Sequence, residues 1–153
     1  MPSSNPKSTA RIMGHPIHPM LVPFPIAFFI GAFLADLIHL RTAADFWGDA
    51  AFWLLAAGLA MAALAALAGL TDFLGDSRIR ALSSARLHML GNVTVVLIEA
   101  VNLYLRAGIP APQTPAIGVY LSGAAFLLLG LTGWLGGDLV FRHRVGVADA
   151  TDA

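Results

Sequence analysis

The segment Met20–Leu40 reads MLVPFPIAFFIGAFLADLIHL and decides the fold. It is apolar apart from Asp36 and His39. Its length matches the roughly 20 helical residues that cross the hydrocarbon core of a bilayer. A lone segment this apolar has to satisfy its backbone N–H and C=O groups internally, so it forms a helix. The segment therefore predicts a transmembrane helix.

Three further blocks have the same character. Those at about residues 50–71 and 116–137 carry no charge, and the one at about residues 87–105 contains Glu99. Together with the first helix, at about residues 20–40, they predict an all-α bundle of four transmembrane helices within residues 13–147. Residues 1–12 and 148–153 are mostly small and polar, and we expect them to be flexible segments.

The composition supports a membrane protein and excludes several other classes. Of 153 residues, 58% are hydrophobic and 12% are charged, whereas soluble domains carry about 25% charged residues. A water-soluble enzyme is thereby excluded. Nine basic and nine acidic side chains leave no net charge, so no nucleic-acid partner is expected. Without cysteine there is no thiolate metal site, iron–sulfur cluster or thioether-linked haem.

Positive charge predicts the orientation of the helices. Seven basic residues lie before the first helix, in the loop between the second and third helices, or after the fourth helix. The opposite side of the membrane has two, Arg41 and Arg106. The positive-inside rule then places both termini in the cytoplasm. The first helix is too long for a cleaved signal and carries Asp36 late in its apolar run. We therefore expect a multi-pass protein of the inner (cytoplasmic) membrane of the cell.

Four of the five histidines are predicted to converge on the cytoplasmic face. Imidazole is a common ligand of haem iron and of metal ions, and such a ligand needs its second ring nitrogen held by a carboxylate or carbonyl. Asp72 and Asp138 are predicted at the same face. The alternative is that each histidine is an interfacial or capping residue. The four histidines are His15, His18, His88 and His143.

Prolines shape the approach to the first helix. Pro16, Pro19, Pro23 and Pro25 prevent a regular helix through this stretch, but proline is tolerated in a first helical turn. The helix is therefore expected to begin near Pro23. The preceding histidines would then lie on a bent segment that folds back over the mouth of the bundle.

The third helix carries a line of polar residues. His88, Asn92, Glu99 and Asn102 fall on one helical face. Asp36 is expected at a depth comparable to that of Glu99, and carboxylates inside a membrane normally face a partner or water. Three interpretations remain open: hydrogen bonds that join helices, a shared proton or bound cation, and part of a proton path.

Several segments resemble a bacterial membrane family catalogued as domain of unknown function 2231. They are HPIHPMLVPFPIA at 15–27 with the later Asp36, LTDF at 70–73, His88 with Gly91-Asn92, and GGDLVFRHRVG at 136–146. The resemblance covers about residues 13–147. Similar proteins are sometimes joined to or encoded beside Rieske-type iron–sulfur domains, which implies redox work. The helix-end histidines also resemble those of membrane b-type cytochromes. Relatives often have a histidine at the position of Pro23 and a glycine at the position of Arg144.

Three hypotheses follow. The first is a haem b-binding, or metal-binding, electron-transfer subunit rather than a stand-alone enzyme, with His88 as one ligand, His18 or His143 opposite, and His15 in reserve. Its expected partners are the lipid bilayer, a redox partner such as a Rieske-type protein, and further copies or other subunits. The second is a proton- or ion-conducting or transport protein that uses Glu99 and Asp36. The third is a non-catalytic membrane scaffold subunit held through glycine and alanine faces.

Overall fold

The computed structural model describes residues 5–108 and 116–148. A short antiparallel pair of strands precedes the helices, with Ile12 opposite His15. The elements are β1 (Arg11–Ile12), β2 (His15–Pro16), α1 (Ile17–Leu21), α2 (Pro23–Thr42), α3 (Asp45–Gly75), α4 (Ser77–Ala81), α5 (Ser83–Arg106) and α6 (Ala116–Phe141).

Four helical segments in the described ranges are long and apolar enough to cross a membrane: Ile17–Thr42, Asp45–Gly75, Ser83–Arg106 and Ala116–Phe141. The predicted all-α bundle with four spans is confirmed. The helices extend beyond the apolar blocks, because a helix continues until its backbone is interrupted. Between α2 and α3 the interruption is Ala43, which adopts a left-handed conformation (φ 52°).

Val22 lies between α1 and α2 within the first span, and its backbone stays helical (φ −54°, ψ −36°), with its amide donating to the His18 carbonyl at 3.1 Å. As the proline spacing predicts, α2 begins at Pro23, and Pro25 also lies in its first turn. The missing N–H groups of these prolines cost nothing there, because the first N–H groups of a helix have no partner within the helix. Helix α1 packs against α3, and α2 packs against α3 and α6.

The bundle consists of two helical hairpins. Helix α2 packs mainly on α3, and α5 packs mainly on α6; the hairpins meet where α2 contacts α6 and α3 contacts α5. Many large apolar side chains, Trp53 and Leu67 among them, remain exposed on the outer surface. Helices that are apolar all round are typical of membrane spans. The core residues are Phe29, Ala32, Leu55, Ala62, Val95, Ala125 and Leu129.

The segments at the two ends of the described chain meet at one end of the bundle. The Gly146 amide donates to the Pro6 carbonyl at 2.9 Å, and the Asn5 amide group donates to the Val147 carbonyl at 3.3 Å. We call this the terminal end, and the end that holds the α2–α3 connection the turn end. The distribution of positive charge predicts that the terminal end faces the cytoplasm. Of the segments predicted to be flexible, residues 1–4 and 149–153 lie outside the described residues.

Candidate functional site

Two histidines face each other across the boundary between the hairpins. His18 lies on α1, which packs on α3, and His88 lies near the start of α5, which packs on α6. Their ring centroids are 6.2 Å apart, and the ring planes are inclined at 89°. We call His18 and His88 the histidine pair.

Each ring of the histidine pair is anchored through Nδ1 to a neighbouring helix. His18 Nδ1 lies 2.8 Å from the Ala65 carbonyl oxygen on α3, and His88 Nδ1 lies 2.8 Å from the Thr132 carbonyl oxygen on α6. A carbonyl oxygen can only accept, so each Nδ1 carries the proton and donates it. In the neutral rings both Nε2 atoms therefore keep a lone pair, as a ligand nitrogen requires.

Asn92 lies one turn beyond His88 on α5. Its amide nitrogen donates to the His88 carbonyl at 2.7 Å. The same nitrogen also contacts His88 Nε2 at 3.3 Å. Asn92 thus helps to fix the first turns of α5, and a metal ion bound at His88 Nε2 would replace this contact with Asn92.

Glycines make room for both rings. A Cβ at Gly69 would lie 2.8 Å from His18 Nδ1, and a Cβ at Gly136 would lie 3.0 Å from His88 Cε1. Both approaches are closer than a side chain tolerates without a shift of its neighbour. At a rise of about 1.5 Å per residue, Ala65 lies roughly 15 Å inside the terminal end of α3. The half-buried rings are therefore held within the bundle rather than at its surface.

The other two predicted ligands lie elsewhere. His15 is exposed on β2, and its Nδ1 lies 3.1 Å from the Met13 carbonyl oxygen. His143 lies beyond α6, with Nε2 at 3.4 Å from Asp138 Oδ2. The part of the chain that the structure describes contains no group of three or more His, Asp or Glu side chains arranged to hold a metal ion. Of the four histidines, the structure brings together His18 and His88.

Asp72, a predicted partner of a ligand histidine, holds the N-terminal segment instead. Its Oδ1 accepts hydrogen bonds from the Thr9 amide at 2.7 Å, the Ala10 amide at 2.8 Å and the Ser8 hydroxyl at 2.9 Å. These bonds tie residues 8–10 to α3 just ahead of the strand pair and α1. Asp72 therefore acts on the position of His18 through the chain, not by touching its ring.

Asp76 adds a second attachment for the same segment. Its carboxylate accepts from the Lys7 amide at 3.1 Å and forms an ion pair with Arg78 at 2.7 Å. The hydrogen bonds from Arg78 hold the pKa of Asp76 well below its usual range. Asp138, the other predicted partner, pairs with Arg142 at 3.3 Å and lies near His143.

A second polar site is buried toward the turn end. Arg106, at the end of α5, binds Asp36 of α2 through two hydrogen bonds, Nη1 to Oδ1 at 2.6 Å and Nη2 to Oδ2 at 2.7 Å. The Arg106 side chain is 4% exposed and that of Asp36 is 0% exposed. This two-point geometry makes the strongest type of ion pair in proteins.

Three more residues complete what we call the buried charge network. Ser122 on α6 donates to Asp36 Oδ2 at 3.0 Å. The Asn102 amide nitrogen donates to Ser122 Oγ and to Glu99 Oε2, both at 2.9 Å, and its oxygen accepts from Arg106 Nε at 2.9 Å. Glu99 is fully buried, and its Oε1 has no hydrogen-bond partner among the described residues.

The sequence identified part of this network. Asp36, Glu99 and Asn102 come together, while Asn92 belongs to the surroundings of His88. Arg106 was expected outside the bundle, but its side chain turns inward, where Gly118 makes room for it: a Cβ there would lie 2.8 Å from Arg106 Nη2. The available signal was spacing, because Arg106 follows Asn102 by four residues on the same face of α5.

An apolar layer lies between the two polar sites. Val95 separates Asn92 from Glu99 along α5, and Ala125 and Leu129 lie between Ser122 and Thr132 along α6. His88 and Glu99 are about 16 Å apart at the rise of a helix. The histidine pair and the buried charge network are therefore separate sites.

One comparison with known proteins gives a match. A family model described as "Predicted membrane protein (DUF2231)" matches residues 14–149, which include both polar sites. Neither the curated proteins nor the solved structures contain a match to the chain.

Proposed function

The chain belongs to the family of predicted membrane proteins called domain of unknown function 2231, and we propose that it is a haem b-binding electron-transfer subunit in which His18 and His88 would hold the haem iron. The observation that carries the proposal is the pairing of these two rings across the hairpin boundary, each with Nδ1 anchored and Nε2 carrying a lone pair.

The spacing of the rings supports this function. Two imidazoles that hold one metal ion have to lie close together, because each metal–nitrogen distance is about 2.0 Å. The observed centroid separation is 6.2 Å. Hydrogen bonds from Nδ1 to carbonyl oxygens are the usual support of ligand histidines, because they fix the ring and raise the basicity of Nε2.

The number of donors favours haem over a bare metal ion. The histidine pair supplies two imidazoles. A zinc ion takes four donors, whereas haem iron receives four nitrogens from its macrocycle and takes its axial ligands from the protein. Two neighbouring imidazoles therefore fit the number of ligands that haem takes from a protein better than the number that a zinc ion needs.

Each part of the site has a defined task in this function. Haem iron supplies a reversible one-electron change between its ferric and ferrous states. The carbonyls of Ala65 and Thr132 orient the two rings, and Gly69 and Gly136 let the rings lie close to α3 and α6. The apolar helices around the site limit the access of water, which influences the redox potential.

The alternative function, conduction of protons or ions through Glu99 and Asp36, has less support. Asp36 is already neutralised by Arg106. Among the described residues, the layer formed by Val95, Ala125 and Leu129 is apolar and supplies no hydrogen-bonding side chain between the buried charge network and the histidine pair.

Titration of the detergent-purified protein with haemin, followed by absorbance before and after dithionite reduction, tests the proposal. We expect one haem per chain, a Soret band, and sharp bands in the reduced state. His18→Ala and His88→Ala should each abolish this spectrum. The matched controls His15→Ala and His143→Ala remove histidines outside the pair and should leave it intact. Wild-type spectra in both His18→Ala and His88→Ala would overturn the proposal.

A further inference from the structure

The buried charge network has one acidic group more than it has bases. Asp36 and Arg106 form a neutral ion pair, which leaves Glu99 without a compensating charge. The neighbouring face of α3 turns Ala51, Leu55 and Gly58 inward and contributes no charge, and α6 contributes the neutral Ser122. An uncompensated charge buried inside a membrane protein is strongly unfavourable.

The hydrogen bonds around Glu99 also indicate that its buried carboxyl group does not carry a charge. Both amide hydrogens of Asn102 are used, one for Glu99 Oε2 and one for Ser122 Oγ, and its orientation is fixed by the donor from Arg106 Nε. Glu99 Oε1 has no donor within the described residues and is fully buried. An ionised carboxylate without a donor at a buried oxygen is strongly unfavourable, and a neutral carboxylic acid avoids the cost of burying that charge.

We propose that Glu99 is a proton-binding site inside the membrane domain, with its carboxyl group protonated at neutral pH and ionised when the buried charge network loses another negative charge. A proton needs one oxygen atom, which Glu99 Oε1 supplies. A metal cation needs several oxygen ligands and would be repelled by the nearby guanidinium of Arg106. This proposal is independent of haem binding, because it concerns a site on the other side of the apolar layer.

Glu99 is the only glutamate in the chain, so it can be observed without a mutation. Cell-free synthesis with glutamate carrying ¹³C at the side-chain carboxyl labels this one group. The infrared difference between labelled and unlabelled protein in liposomes then reports whether Glu99 is an acid or a carboxylate. We expect the carbonyl band of a protonated acid at pH 7.

Removal of the negative charge of Asp36 should have the opposite effect on Glu99, namely ionisation of its carboxyl group. In Asp36→Asn, Arg106 loses its counter-ion, so Glu99 should lose its proton and the acid band should be replaced by carboxylate bands. The control Asp138→Asn neutralises an acid outside the network and should leave the acid band unchanged.

Two results would overturn the proposal. One is a carboxylate signal from Glu99 at pH 7 in the wild-type protein, which decides the matter even where a variant fails to fold. The other is an acid band that persists in Asp36→Asn protein whose circular dichroism shows a folded bundle.

Discussion

Arg106 and Asp36 are 70 positions apart in the chain, yet the guanidinium of one binds the carboxylate of the other through two short hydrogen bonds. Asp36 belongs to the α2–α3 hairpin and Arg106 to the α5–α6 hairpin. The pair therefore joins the hairpins toward the turn end, while the histidine pair faces across the same boundary nearer the terminal end.

Loss of Arg106 should destabilise the bundle strongly. Arg106→Gln leaves the Asp36 carboxylate buried without its partner, and breaking a buried ion pair in this way costs about 3–5 kcal/mol. The free energy of unfolding in mixed micelles measures the effect. Arg142→Gln is the matched control, because it removes an exposed pair with Asp138 and should cost about 0–1 kcal/mol. Equal losses in the two variants would contradict the role given to Arg106.

A methyl group at Gly69 should weaken haem binding. Gly69→Ala places a Cβ against the His18 ring and displaces it from the Ala65 carbonyl. Loss of such support for a ligand lowers affinity by about 10–100-fold. Haem titration followed by absorbance measures this change. Gly130→Ala is the control, because nothing lies within 4 Å of a Cβ added at this position. The affinity of this variant for haem should equal that of the wild type.

Removal of the Asp72 carboxylate should release the N-terminal segment. Asp72→Ala deletes the acceptor of the Thr9 and Ala10 amides, and hydrogen bonds to a charged group each contribute about 1.5–3 kcal/mol. Trypsin should then cleave after Arg11 about tenfold faster or more, as measured by mass spectrometry over time. The control variant Asp138→Ala changes a residue at the same end of the bundle, and trypsin should cleave it after Arg11 at the wild-type rate. An unchanged rate in Asp72→Ala would show that other contacts hold the segment.

Acid should loosen the same segment through Asp76. Because the folded state lowers the pKa of this carboxyl, ionised Asp76 stabilises the fold at pH values above the ordinary carboxyl value of about 3.9. The stabilisation is lost as the pH falls below that value toward the lowered pKa. Hydrogen exchange at the Lys7 amide, corrected for the intrinsic rate, should show protection at pH 5–7 that declines in stronger acid. In Asp76→Asn the protection should already be weak at pH 7.

The sequence was sufficient for the features that follow from local chemistry. The apolar blocks predicted four spans, the prolines predicted the start of α2 at Pro23, and helical spacing placed His88 and Glu99 on one inward face. These features depend on backbone hydrogen bonding in lipid and on helical periodicity, which are readable along a single chain.

The remaining features depend on tertiary packing. The partners of His18 and His88 are main-chain carbonyls, which every residue possesses, so nothing in the sequence distinguished Ala65 or Thr132. The inward turn of Arg106 depends on the free space at Gly118, a residue of a different helix. The sequence predicted one bent segment that carries both His15 and His18, whereas His18 lies half-buried in the short helix α1 and His15 lies exposed on β2.

Electron paramagnetic resonance of the oxidised, haem-loaded protein tests the central claim most directly. Two imidazoles from His18 and His88 would give a bound ferric haem a strong ligand field from the protein. We predict a low-spin ferric signal, lost in both His18→Ala and His88→Ala. Absence of a low-spin ferric signal from wild-type protein supplied with ample haem, or its persistence in those two variants, would contradict the assignment of the histidine pair as haem ligands.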